Sequence, residues 1–99
     1  MTEEKAIEIR AKFKGMSARQ LQVIEYHAGR CLTAKETGAR LGISPQTVKN
    51  HMTVIYDKLG LKDQGESMLA QLVWVVAYWR GRVDSFASLS GDVLRARDV

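Results

Sequence analysis

The chain has 99 residues, a single cysteine, a single proline and a formal net charge of +4. That length holds one small domain with one core, and a lone cysteine excludes an intramolecular disulfide. The longest apolar run, residues 68–79, is interrupted by Gln71 and falls short of the ~20 residues a membrane-spanning helix requires.

The opening stretch, MTEEKAIEIRAKFKG, sets acids before bases and has no apolar core segment. It does not read as a signal peptide, so a cytoplasmic protein is expected. The positive charge is concentrated in the middle. Residues 16–62 carry seven bases and three acids, while the flanks nearly balance. A basic middle is the footprint of a polyanion binder.

Apolar residues recur at helical spacing throughout, which predicts an all-α fold. The first helix is expected over residues 2–14. Thr2 caps it, Glu3 and Glu4 occupy its first turn, and Ala6, Ile9 and Phe13 share a face. Ser17 and Gln20 form a capping box for the next helix, with Leu21, Ile24 and Ala28 as its expected inner face. Thr33 and Glu36 form a second box, opening a short helix that Gly42 ends. Ser44 then caps a longer helix with Pro45 at its first position, and Gly60 stops it. A short helix, a glycine turn and a capped second helix make the sequence grammar of a helix-turn-helix. A fourth helix is expected over residues 66–80. Residues 81–99 form a tail in which Val83, Phe86, Leu89 and Val93 hint at one more short helix.

On a regular helix, Val48, Met52, Ile55 and Leu59 form one apolar stripe. Gln46, Lys49, Asn50 and Thr53 form the opposite face, and no acid interrupts it before Asp57. Lysine pairs with guanine O6 and N7, asparagine and glutamine pair with adenine, and threonine offers a hydroxyl and a methyl. Such a face suits the major groove of duplex DNA. The helix start at Ser44 aims free N–H groups where phosphate binds, and Lys35 is a further expected phosphate contact.

The stretch ARLGISPQTVKNHMTVIYDKLGL resembles the DNA-binding domain of LuxR-type (GerE-like) transcription regulators. Thr47-Val48-Lys49 with His51, and Lys58-Leu59-Gly60, carry the resemblance, and MSARQLQVI and TAKE are similar to the family's earlier helices. It implies a four-helix domain, here with an extra N-terminal helix. It also implies base contacts from Lys49, Asn50 and Thr53, and phosphate contacts from Thr47 and Lys58. A stand-alone regulator is expected, since no receiver or autoinducer-binding domain precedes the motif. Three departures stand out. Arg30-Cys31 replaces a usual glycine in a segment one residue longer than the family's. Thr37-Gly38 replaces isoleucine-alanine. The usual arginine after the third helix has no counterpart near Gln64-Gly65.

The fourth helix is apolar on too many sides for a single packing face. Leu69, Leu72, Val73, Trp74, Val76 and Trp79 are the expected homodimer interface, as the resemblance implies. The alternative cover is the N-terminal helix or the tail. Cys31 is expected as a small buried residue. With His27 and His51 apart and no nucleophile–base set, no metal, cofactor or enzyme activity is expected. The rival reading is a protein-interaction module that pairs with a larger LuxR-type regulator or with RNA polymerase.

Overall fold

The computed structural model describes the backbone of residues 1–90 and the side chains of residues 1–81. Most of those residues are helical, and no strand is among them. The elements are α1 (Glu3–Ala11), a 3-10 turn (Lys12–Gly15), α2 (Ala18–Val23) running into a π turn (Ile24–Gly29), α3 (Ala34–Leu41), α4 (Pro45–Leu59) and α5 (Met68–Ser90).

The caps form where the side chains dictate. Thr2 Oγ1 accepts from Lys5 N at 3.2 Å. In the Ser17 box, Gln20 N donates to Ser17 Oγ at 3.1 Å and Ser17 N to Gln20 Oε1 at 2.9 Å. The Thr33–Glu36 box repeats both bonds at 3.1 and 2.9 Å. The bonds from Thr33, its backbone N–H first, hold the exposed Glu36 carboxyl below its ordinary pKa. Each box satisfies two donors that a helix start would otherwise leave without partners.

α1 ends sooner than the sequence pattern predicts. Its last turn tightens into the 3-10 turn, closed by Met16 N to Phe13 O at 3.0 Å, which carries Met16 into the core. Ala6 and Ile9 are fully buried.

α2 also departs from the expected register. Leu21, placed on the inner face by periodicity, is 41% exposed, and Val23 is buried instead. The capping box draws Gln20 inward, so the buried line passes through Gln20, Val23, Ile24 and Ala28, and Leu21 points outward one step round. Beyond Val23 the helix widens. Arg30 N bonds Glu25 O five residues back, and Leu32 N bonds Tyr26 O six residues back. A π turn holds one residue more than an α turn, and this one takes in the extra residue seen in the sequence. Cys31 closes the segment at φ +57° and is exposed, not buried. It occupies the left-handed conformation that glycine adopts without cost.

The α3–α4 junction sets the angle between the two motif helices. Gly42 adopts φ +70° and Ile43 N reaches back to Gly38 O at 2.9 Å. A Cβ on Gly38 would stand 2.5 Å from Ile43 O, so this mid-helix glycine is required by close approach. Thr37 is fully buried beside it, and its hydroxyl has no hydrogen-bond partner.

Val48, Met52, Ile55 and Leu59 enter the core as the stripe predicts, with Leu72 and Val75 of α5. α5 runs through residue 81 to Ser90, not ending near residue 80 as expected. A single glycine, Gly81, costs a helix only about 1 kcal/mol, and no proline follows it to force a stop. The expected apolar position Val93 lies outside the described residues.

Candidate nucleic-acid interface

The outer face of α4 is built from its two ends. At the start, Ser44 Oγ accepts from Thr47 N at 3.0 Å and lies 2.8 Å from Thr47 Oγ1. Pro45 has no N–H and Thr47 N is taken by Ser44, so this helix start offers phosphate the Gln46 amide and the paired hydroxyls. Lys35, in the first turn of α3, is exposed and adds charge to the motif.

Gln46, Lys49, Asn50 and Thr53 are all exposed, as the face analysis expects. They are not equivalent. Gln46 Nε2 donates to Asn50 Oδ1 at 3.1 Å, which aligns the two amides along one side of the helix. Thr53 Oγ1 donates to Lys49 O at 3.1 Å, so its one hydroxyl proton is spent on its own helix. Lys49 makes no ion pair among the described residues, which leaves its ammonium available to a polyanion.

The far end of α4 is fastened to the first part of the chain. Lys58 Nζ donates to Gln20 Oε1 at 3.0 Å and to Gly15 O at 3.4 Å. In return, Lys12 Nζ donates to Leu59 O at 3.4 Å. Lys58 is exposed, and with two of its three protons so directed it has one left for phosphate. Arg19 Nη1 similarly holds Leu41 O at 3.2 Å, at the end of α3. Sequence reasoning finds Lys58 but misses Gln20 as its partner and the reciprocal bond of Lys12 to Leu59 O, because no local pattern joins residues 38 and 47 positions apart.

The residues expected at an interface on α5 divide. Leu72 is fully buried in the core of the single chain, as is Val75, so neither is available to a second chain. Trp79 Nε1 donates to Ala6 O at 3.3 Å, which places it under α1. The N-terminal helix therefore covers part of α5, as the alternative expected. Leu69, Val73 and Val76 are half-buried. Trp74 remains outward, 38% exposed, its ring stacked on Tyr78 with centroids 5.4 Å apart and planes 5° from parallel. A rigid aromatic pair at the surface has the chemistry of an interface anchor.

Among the described residues no group of histidine, cysteine and carboxylate side chains could hold a metal. His27 Nδ1 lies 2.7 Å from Leu32 O and braces the π turn. No described helix is long and apolar enough to cross a membrane.

One family model matches the chain: GerE, described as bacterial regulatory proteins, luxR family, over residues 14–70. That span runs from the 3-10 turn through the start of α5 and contains every residue of the α4 face. No curated protein and no solved structure matches.

Proposed function

The chain belongs to the luxR family of bacterial regulatory proteins, DNA-binding transcription regulators, and from that membership we propose that it reads duplex DNA sequence-specifically with α4, as a homodimer. α4 lies in the major groove. Lys49, Asn50 and Gln46 meet base edges with Thr53 beside them, while Ser44, Thr47, Lys35 and Lys58 meet phosphates. Two chains joined through the outward side of α5, centred on Trp74, present two α4 helices to half-sites about one helical turn apart, ~34–36 Å.

The observation that carries this reading is the contrast between the two sides of α4. Its inner stripe is fully committed to the core, and its outer side from Gln46 to Thr53 is exposed, polar and free of acids. A merely solvated helix face has no need of that selection.

The test is in-vitro site selection from randomised duplexes with the wild type, Lys49→Ala and Asn50→Ala, after a thermal melt on each. Each substitution should cost roughly 1–3 kcal/mol and relax preference at one position per half-site. Variants that select the same sequences with the same strength would remove α4 as the reader. A surface used only to pair with a larger regulator or with RNA polymerase would then account better for the exposed Trp74–Tyr78 stack.

A further inference from the structure

The outer side of α4 carries one feature that the polar pattern does not explain. Val54 is 45% exposed. The other exposed positions of α4 from Gln46 to Lys58 are all polar or charged. A solitary surface valine is ordinary, but this one has a neighbour of the same chemistry. Because Thr53 gives its hydroxyl proton to Lys49 O, it can no longer donate to a base, and what it offers outside its helix is an acceptor oxygen and its methyl. Two consecutive side chains thus offer methyl groups, one turn beyond Asn50, on the helix proposed to lie in the groove. The core does not need them, since Val48, Met52, Ile55 and Leu59 already fill the inner stripe.

We infer that Val54, together with the Thr53 methyl, reads a thymine C5-methyl in the major groove, about two base pairs from the pair that Asn50 meets. The inference rests on the proposed DNA reading and adds a specificity-determining residue to it. The thymine methyl is the one apolar feature that an unmodified base pair displays in the major groove, and apolar side chains recognise it. The spacing follows from the helix. Four residues advance about 6 Å along its axis, and successive bases of a strand lie ~3.4 Å apart. Val54 therefore reaches past the pair at Asn50 to the next or next but one.

The experiment uses the duplex that the full chain selects from a randomised pool. Each thymine is replaced in turn by uracil, which pairs identically and lacks only the C5-methyl. Binding is measured for the wild type and for Val54→Ala. At one thymine per half-site, uracil should weaken wild-type binding about three- to five-fold, the worth of one buried methyl. The same replacement should change Val54→Ala binding less than two-fold. Val54→Thr, of the same shape with one methyl replaced by a hydroxyl and of similar helix propensity, repeats the measurement and serves if the alanine variant melts early. Uracil tolerated at every position by the wild type would overturn the inference, and so would an undiminished uracil penalty in both variants. Equal losses by the variants on thymine and uracil duplexes would make Val54 a structural residue. A wild type that selects no sequence at all would instead defeat the DNA reading itself, a distinct result.

Discussion

Replacing Gly38 with alanine sets two effects of opposite sign against each other. Helix propensity alone favours the change by about 1 kcal/mol, since glycine is the more costly residue inside α3. The contact opposes it. The new Cβ would stand 2.5 Å from Ile43 O, 3.3 Å from Ser44 C and 3.4 Å from Pro45 N. All three are backbone atoms, so no flexible side chain can move aside. The carbonyl must retreat by most of an ångström, and it belongs to the turn whose next residue, Ser44, caps α4 through Thr47 N. Overpacking of this kind costs up to about 3 kcal/mol, and a strained cap adds to it. The net expectation is a loss of about 2 kcal/mol, which lowers the Tm of a domain this size by roughly 8–16 °C. Thermal and urea melts of both proteins measure it, with an unchanged m-value showing that the unfolded state is the same. A Tm equal to or above wild type would mean that α3 and α4 do not approach as described, and that propensity decides the position.

Thr37→Val should stabilise the chain by about 1 kcal/mol, because it replaces a fully buried, unpartnered hydroxyl by a methyl of the same shape; urea denaturation tests this, and a lower midpoint would reveal a partner for that hydroxyl. Cys31→Gly should gain about 0.5–1 kcal/mol, the left-handed strain relieved less the added chain entropy. Cys31→Ala keeps a Cβ and should gain nothing, so equal melting shifts for the two would count against backbone strain as the cause. Trp74→Glu should shift sedimentation at high micromolar concentration from dimer to monomer and weaken operator binding. Wild type that already sediments as a monomer there would remove the α5 interface.

Much of the fold is legible because its signals are local. A serine or threonine three residues before an acid or amide, a glycine after an apolar residue, and a proline at a helix start each act within one turn. The ends of α3 and α4 fall where those residues stand. The α4 stripe is legible because only one side of that helix is apolar. α5 defeats the same method. With apolar residues on several sides, periodicity groups them but cannot say which group faces inward. Leu72 and Trp79 were therefore expected outside, while the core and Ala6 O claim them. Periodicity also assumes 3.6 residues per turn. The wide turn after Val23 and the inward pull of the Gln20 box both alter that geometry, and Leu21 is misplaced as a result. The outer face of α4 was readable as a set of residues but not as a set of bonds. Nothing in the order of the letters foretells that Thr53 turns its hydroxyl to Lys49 O.

The reciprocal fastening of Lys12 to Leu59 O and of Lys58 to Gly15 O has a bearing on how this chain should be cut for experiment. The family span begins at residue 14 and stops at residue 70. A fragment trimmed to that span would forfeit Ala6 and Ile9 on one side and Leu72 and Val75 on the other, four members of the buried cluster. It would also lose Lys12 and leave Leu59 O without that bond. Kinship and cohesion thus draw different borders here. The segment recognisable as kin is part of a larger packed body, and the hold on α4 begins outside the kin segment, at Lys12 in the turn that precedes α2.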